Sequence, residues 1–306
     1  MIDNVLLIPH IRIQNANALS SPFTIGFPAM TAWLGVVHAL QRKLNAKGVD
    51  ARFDKMGVVS HQFDLQTYKG PGDFEYSIVG TANPLDKDGT RSAFIEEARC
   101  HLEVSLVILY DGIDKLQEDD AVEKIIHCLN SQIKIAGGDI LSFEKPAFYK
   151  NFSLLKPKLM PGYALIERRD LMIEAMEQGQ DAIDAMLDYL AIHHSCEQHE
   201  ENGEAKVTWS SQRKPTGDQD QRGWIVPIAT GFQGISKLGR AENQRDPDVP
   251  HRFAESIVTL GEFKMAYKLE TPQELFWSYH FEPENNLYLC QQSKPSPQSL
   301  LEEDGF

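Results

Sequence analysis

The sequence predicts an α+β fold: a ferredoxin-like core of the kind found in RNA-recognition motifs, with a hairpin inserted in its middle and a helical segment appended. Three observations support this prediction. An amphipathic helix follows the first strand, an alternating apolar strand occupies residues 102–110, and a second helical pattern precedes a strand near residue 140. The resulting order of strand, helix, strands, helix and strand is that of this core. We assign residues 1–145 to the core and residues 146–306 to a second half packed with it as one unit.

The first strand leads into a cluster of amides and hydroxyls. Apolar residues at 5–8 and 11–13 form the predicted strand, and the polar segment 14–22 follows it. Its candidate RNA ligands are Gln14, Asn15, Asn17, Ser20 and Ser21. Amides read the edges of unpaired bases, so this edge of the sheet suits single-stranded RNA, and the two serines could contact phosphate. The same groups also satisfy the backbone of turns, and both interpretations stay open.

Residues 29–46 form the predicted helix with the clearest pattern. The apolar positions that share one face at i, i+3, i+4 and i+7 spacing are Met30, Trp33, Leu34, Val37, Leu40 and Leu44. His38 and Arg42 lie one helical turn apart toward the other side. They either share a phosphate contact or form a solvated pair.

The middle of the core is predicted to contain the inserted hairpin. Strands are expected at 57–68 and 75–81, and residues 69–73 carry the glycines and proline of the turn between them. The inserted region extends over about residues 70–89.

The second helix of the core is predicted at residues 118–135. It has acidic residues in its first turn and Gly137-Gly138 at its end, and both features favour a helix. A strand at residues 140–143 then completes the core.

The second half alternates basic, acidic and glycine-rich segments. The predicted elements are a basic connector at 145–162, a strand at 163–166, an acidic helical stretch at 171–194, a polar loop at 195–206, strands near 207–210 and 224–228, a glycine-rich loop at 231–240 and a frayed tail over the last 14 residues. A glycine-rich loop allows close backbone approach to phosphate. The candidate RNA ligands in and after this loop are Phe232, Gln233, Gly234, Arg240, Arg245 and Arg252. Phe232 offers a ring for base stacking, although such glycines also mark ordinary surface loops and the arginines could form surface salt bridges.

The charge of the chain is unevenly distributed. The formal net charge is −14, which disfavours binding of nucleic acid by long-range attraction. Residues 170–204 carry ten acidic residues and no lysine or arginine, whereas residues 145–169 carry a net charge of +5. Local sign matters more than the total, because salt screens charges beyond ~8 Å. The acidic block is either a solvated helical face or a docking surface for a basic partner.

The expected cellular compartment follows from the lengths of the apolar runs and from the cysteines. The amino-terminal apolar run breaks at Pro9, and no segment is long enough to span a bilayer. We therefore expect a cytoplasmic protein without membrane contact, in which the four cysteines are reduced: Cys100, Cys128, Cys196 and Cys290.

Metal and enzyme chemistry have little support from the sequence, and no cofactor is expected. One cluster of metal-ligand residue types is His193, His194, Cys196 and His199. Adjacent histidines diverge on a helix, so this spacing fits a tetrahedral ion poorly, and a polar helix end is the simpler interpretation. RNA cleavage would need an acid and a base, for which His38 with Tyr68 or His101 could be nominated. The nucleophile-elbow and zinc-hydrolase motifs are absent.

Many short segments, in consistent order, resemble one known family. They are residues 13–18, 20–22, 26–28, 38–42, 83–85, 88–89, 96–97, 101–106, 136–138, 161–165, 223–228, 250–253 and 260–262. The chain resembles the second Csy subunit of the type I-F CRISPR surveillance (Cascade) complex, a Cas-five-like family of the RAMP superfamily.

The resemblance implies a RAMP fold and a noncatalytic role in antiviral defence. Such a subunit grips the 5′ handle of CRISPR RNA, docks the large subunit and the first Cas-seven-like backbone subunit, and serves RNA-guided recognition of foreign double-stranded DNA. Contact with target DNA would be indirect. The superfamily's glycine-rich loop would correspond to residues 231–240, and its protruding hairpin or thumb to about residues 70–89. The alternative function is a metal-independent endoribonuclease that processes CRISPR repeat RNA.

Overall fold

The computed structural model describes residues 4–79, 85, 87–91, 97–201, 204–214, 223–242, 244 and 246–292. Its strands are β1 (Val5–Asn17), β2 (Leu19–Ser21), β3 (Thr24–Ile25), β4 (Arg52–Leu65), β5 (Thr67–Tyr68), β6 (Ser77–Ile78), β7 (Arg99–Asp111), β8 (Asp139–Ser142), β9 (Ala147–Tyr149), β10 (Tyr163–Glu167), β11 (Ile192–Glu201), β12 (Glu204–Arg213), β13 (Trp224–Gly234), β14 (Ala254–Met265), β15 (Trp277–Glu282) and β16 (Leu287–Gln292). Its α-helices are α1 (Met30–Asn45), α2 (Glu118–Ser131), α3 (Phe152–Leu155), α4 (Arg169–Glu177) and α5 (Ala182–Leu190).

One ten-stranded antiparallel sheet organises the chain. Its order is β10-β14-β13-β16-β15-β4-β7-β1-β8, with β9 also paired to β1 and β10 also paired to β4. The predicted α+β class is therefore confirmed. Strands from the two halves of the sequence share this sheet, since β10 and β15 both pair with β4.

The main hydrophobic core lies between this sheet and helices α1 and α2. The apolar stripe of α1 packs onto alternate residues of the strands, among them Ile11, Met56 and Leu106. The indole of Trp33 is fully buried and donates a hydrogen bond of 3.1 Å to the carbonyl of Pro28, which fixes the start of α1. The helix predicted at 29–46 is confirmed.

The opposite face of the sheet is covered over only part of its length. A second core joins Val5, Leu7 and Val107 to residues 152–159 and 266–276. Further along the same strands this face carries polar side chains instead, among them Arg12 of β1 and its cross-strand partner Glu103 of β7.

Several predicted boundaries in the first half were wrong. β4 begins at Arg52 rather than at residue 57, and it pairs mainly with β7. Among the described residues of this region, the hairpin pairing is the short ladder of β5 with β6, and residues 80–84 and 86 of the predicted insertion lie outside the described residues. Helix α2 ends at Ser131 instead of residue 135, because the chain leaves helical geometry at Gln132 to enter a turn closed by Ile135 and Gly138.

The acidic segment is not one helix followed by a loop. Helices α4 and α5 are separated at Gly179, whose φ of +92° is accessible mainly to glycine. The Asp181 side chain accepts hydrogen bonds from two backbone N–H groups and so begins α5. This region was predicted as a helix end, a polar loop and one short strand. Its residues 192–201 and 204–213 form the antiparallel pair of β11 and β12, in which the alternation of Val207 and Trp209 favours a strand.

The remaining second half contains more ordered structure than predicted. The connector at 145–162 holds β9 and α3, and β14, β15 and β16 were not predicted at all. The glycine-rich loop prediction was wrong for residues 231–234, which belong to β13 and pair with β14; residues 231–233 also pair with β16. A β-carbon on Gly231 would lie 2.0 Å from the carbonyl oxygen of Tyr288, so this glycine permits close strand approach. The tail from residue 293 lies outside the described residues.

We expect Gly231→Ala to lower the free energy of unfolding by ~1–3 kcal/mol, because the added methyl group meets backbone that cannot rotate away. The matched control is Gly35→Ala in α1, where no atom lies within 4 Å of the added carbon and helix propensity improves by up to ~1 kcal/mol. Denaturant unfolding measures both changes. Equal stability of the Gly231→Ala protein and the native protein would contradict this packing role.

Candidate nucleic-acid interface

A polar groove crosses the uncovered part of the sheet over β8, β1, β7 and β4. Its volume is about 280 Å³, and its polar lining residues are Arg12, Gln14, Gln62, Asp64, His101 and Glu103. Arg12 and Gln14 alternate with buried Ile11 and Ile13, so one face of β1 serves the core while the other faces solvent.

Two bulges in β1 aim polar residues at this face. The pairing register with β7 shifts between Ile8 and Ile11 and again between Ile13 and Ala16. Within these shifts His10 and Asn15 have positive φ values of 48° and 56°. Such conformations are uncommon for residues other than glycine, and bulges often re-aim side chains at functional sites.

Two histidines stack at the covered end of the groove. The rings of His10 and His61 lie 4.2 Å apart, and Nδ1 of His10 lies 2.7 Å from a carboxylate oxygen of Glu103. His61 Nδ1 donates to the carbonyl of Pro161 at 2.6 Å, and its Nε2 lies 2.7 Å from the Ser105 hydroxyl. With Nδ1 protonated, Nε2 accepts a hydrogen bond from the Ser105 hydroxyl, so both ring nitrogens of neutral His61 are hydrogen-bonded.

Burial lowers the pKa of His61 below its ordinary value of 6.5. The hydrogen bond to Pro161 raises this pKa, whereas the neighbouring His10 lowers it further. The imidazole is therefore neutral at physiological pH, and it presents hydrogen-bonding capacity without positive charge.

The predicted amides and hydroxyls divide into two groups. Asn15 belongs to the groove end, where its N–H lies 3.3 Å from Nδ1 of His101 and its side chain accepts from Gln66 at 2.7 Å. Asn17 instead bonds the backbone of Leu19 in both directions. The hydroxyls of Ser20 and Ser21 bond Thr24 within the β2–β3 turn. Asn17, Ser20 and Ser21 thus use their side chains in hydrogen bonds within this turn region.

An aromatic cavity of about 420 Å³ lies beside the groove, where β4 meets β10, β13 and β14. Its lining comprises Ile25, Gly26, Phe27, Ser60, His61, Gln62, Phe63, Tyr163, Trp224, Val226, Pro227 and Phe263. Gln62 belongs to both linings. The cavity lies on the sheet face that packs against the main core, whereas the groove lies on the opposite face.

The other predicted residues lie at the opposite end of the sheet. His38 lines a far-end cavity of about 390 Å³ together with Lys55 and Tyr288, and Tyr288 pairs with Phe232. On β7, Cys100 lies at the end of the sheet near Asn15, and Leu109 pairs with Lys55 at the other end. At the rise of a strand, these two residues are roughly 30 Å apart.

Arg42, Gln233 and Arg240 are exposed at positions outside the groove. Arg252 donates to the Asn286 side chain and packs against Gly234. Arg245 lies outside the described residues. The structure therefore does not bring the predicted glycine-rich loop, or the His38 and Arg42 pair, together with the amides of β1.

The cluster of metal-ligand residue types at 193–199, interpreted above as a polar helix end, lies on strand β11 instead. Neighbouring residues of β11 point to opposite faces, so His193 and His194 diverge. His193 bonds the carbonyl of Asp188, and His194 bonds Ser211. Among the residues described, no three His, Cys, Asp or Glu side chains are grouped as metal ligands.

Comparison with known proteins decides the family. The model of the CRISPR-associated Csy2 family matches residues 6–290. The chain belongs to the Csy2 family. The CRISPR-associated protein Csy2 of Pseudomonas aeruginosa (strain UCBPP-PA14) is 34% identical over 318 residues, covering 93% of this chain and 94% of the relative. The Csy2 resemblance inferred from the short segments is confirmed.

The sequence singled out Gln14 and Asn15 as RNA ligands, but not most of the other residues that build this site. His10, His61, Ser105 and Glu103 are brought together from three strands, and Tyr163 and Trp224 from two more. A signal was available: histidine, arginine and glutamine alternate with apolar residues at 10–14, which marks a strand with one polar face.

In the described part of the chain, no helix combines the length and apolarity needed to cross a membrane.

The depressed pKa of His61 predicts a pH dependence of stability. As pH falls below 6.5, the unfolded chain takes up a proton at this position before the folded chain does, so the free energy of unfolding decreases. We expect His61→Gln to lose this component, which makes its unfolding free energy less sensitive to acid than that of the native protein. Denaturant unfolding between about pH 7.5 and pH 5.5 tests this. Identical pH slopes for the two proteins would contradict it.

Proposed function

We propose that this protein is a noncatalytic subunit of a type I-F CRISPR surveillance complex and binds the 5′ handle of the CRISPR RNA in the polar groove. Membership of the Csy2 family supports the complex. The observation that carries the RNA assignment is the groove itself, because it is an uncovered sheet face lined with two amides, an imidazole, one arginine and two carboxylates that can form hydrogen bonds.

The topology supports an RNA-recognition type of core. Strands β8, β1, β7 and β4 are neighbours in that order, α1 connects β1 to β4, and α2 connects β7 to β8. We propose that these six elements form the ferredoxin-like RAMP core. In RNA-recognition motifs, single-stranded RNA lies on the open face of such a sheet.

Recognition in this groove would depend on shape and hydrogen bonding more than on charge. Arg12 is accompanied by the carboxylates of Asp64 and Glu103, and the whole chain has a formal net charge of −14. Base contacts specify sequence, whereas phosphate contacts supply much of the affinity. We therefore propose that this chain retains RNA together with its partner subunits and binds isolated RNA weakly.

Docking of the large subunit and of the first backbone subunit is part of the proposal. Helices α4 and α5 expose acidic side chains together with apolar Ile173, Ile183 and Leu187. Such a surface suits a basic and apolar partner helix or loop.

The stacked histidines favour a second candidate, metal-independent cleavage of repeat RNA. Imidazole acid–base pairs can serve such chemistry. Two features weigh against it. Both ring nitrogens of His61 are engaged, and Ser105 is fully buried. The nominated His38 lies at the far end of the sheet from His101, roughly 25 Å along β7. Specific products on incubation with repeat RNA, lost in His10→Ala, would overturn the noncatalytic proposal.

We expect Gln14→Ala to weaken binding of handle RNA by the assembled complex roughly 2- to 12-fold, the equivalent of one net hydrogen bond of ~0.5–1.5 kcal/mol. Gln233→Ala is the matched control, since this glutamine is also exposed on a strand but lies at the far end of the sheet. Filter-binding titration of complexes assembled with each variant measures the effect. Unchanged affinity for both Gln14→Ala and Asn15→Ala would instead favour a pure protein-docking module.

A further inference from the structure

Aromatic side chains cross three neighbouring strands at the far end of the sheet. Tyr288 of β16 is the direct cross-strand partner of Phe232 on β13 and of Phe281 on β15. Direct partners lie on the same face of a sheet, so these three rings form one line, which we call the aromatic row. Tyr279 lies on the same face of β15, two residues before Phe281, and its ring centroid is 5.3 Å from that of Tyr288.

The aromatic row is open to solvent. Phe281 is 66% exposed, Phe232 is 42% exposed and Tyr288 is 38% exposed. A side-chain hydrogen bond joins Tyr279 to Tyr288 and helps to fix the central ring of the row. Adjacent exposed rings form a contiguous apolar patch, and such patches mark binding surfaces.

Cationic side chains border the aromatic row. The far-end cavity joins Tyr279 and Tyr288 to Lys55 and Arg52 of β4, with Asp54 as the single carboxylate of its lining. Arg52 lies 3.9 Å from Asp111, and both side chains are mostly exposed, so this pair holds the guanidinium weakly. Among the residues described, Lys55 has no ion-pair partner. The cavity therefore has positive charge to offer to a ligand.

The helix on the other side of the cavity adds charge of the same sign. From residue 30 to residue 49 the chain contains Arg42, Lys43 and Lys47 and no acidic residue. His38 lines the cavity one helical turn before Arg42. Because salt screens distant charges, an anion at this end of the sheet responds to these groups more than to the acidic segment 170–204.

We propose that the aromatic row and the far-end cavity bind the DNA strand that is displaced when the guide RNA pairs with its target; this rests on the proposed function. Aromatic side chains on neighbouring strands, with positive charge beside them, are the arrangement on which unpaired bases stack. Bases would stack on the aromatic row, and phosphates would lie against Lys55 and Arg52. This contact with DNA would be direct, unlike the indirect contact expected from the resemblance.

The displaced strand is the occupant because the other nucleic acids have their own places. The polar groove proposed for the RNA handle lies at the other end of the sheet, roughly 30 Å away along β7. The target strand is paired with the guide, so its bases are not free to stack on protein. The unpaired charge of Lys55 favours a polyanion over an apolar segment of a partner protein.

The test measures target binding by guide-loaded complexes that contain the native chain or Phe281→Ala. One target is a DNA duplex, from which binding displaces a strand, and the other is the complementary single strand alone. We expect Phe281→Ala to weaken duplex binding by about 5- to 150-fold, the loss of one stacked base, and to leave binding of the single strand unchanged. Phe281→Tyr keeps a ring at this position and should retain most of the duplex affinity.

Two further variants separate stacking from charge and from a folding defect. Lys55→Gln should reduce the slope of log affinity against log salt concentration for the duplex by about 0.7, the value for one phosphate contact of a single strand. Phe23→Ala removes another exposed phenylalanine, in the turn between β2 and β3, and should leave the binding of both targets unchanged.

Four outcomes would overturn the proposal. Duplex binding that is unchanged in Phe281→Ala would remove the stacking site. Equal weakening of both targets would place the defect in guide binding or folding. Loss of a partner subunit from the Phe281→Ala complex would assign the aromatic row to a protein contact. Failure of the native complex to bind handle RNA would overturn the proposed function as well.

Discussion

Strand β4 is the constraint on which the rest of the structure depends, because strands of both halves of the sequence form hydrogen bonds with it. It pairs with β7 along one edge and with β15 and β10 along the other. The ladder with β7 shifts register twice, between Phe53 and Lys55 and between Ser60 and Gln62. At the second shift His61 bulges out, lines the aromatic cavity and bonds Ser105, so its position depends on the register of this strand.

The parts of the fold that could be predicted are those coded by local pattern. Helix α1 follows from the spacing of its apolar residues, and β7 follows from its alternation. The bulges at His10 and Asn15 depend on partners in β7, which no local pattern contains. Gly231 resembled part of a phosphate loop because its close neighbour, Tyr288, is distant in sequence. For the same reason, only Gln14 and Asn15 of the predicted ligands lie at the groove.

The acidic net charge and the proposed RNA contact are compatible because they belong to different surfaces. Ten acidic residues are concentrated in residues 170–204, on α4, α5 and the hairpin that follows. The groove instead offers the amides of Gln14 and Gln62, the imidazole of His101, and Arg12 accompanied by the carboxylates of Asp64 and Glu103. In the proposed function, the groove recognises an RNA end through shape and hydrogen bonding, and partner subunits supply the phosphate contacts that provide affinity.

Photochemical crosslinking of handle RNA within the assembled complex, followed by peptide mapping, tests the central claim most directly. The account predicts that handle nucleotides crosslink to β1 near residues 10–15 and to β4 near residues 61–63. Crosslinks confined to the far-end cavity near His38 and Tyr288, roughly 30 Å away along the sheet, would contradict it.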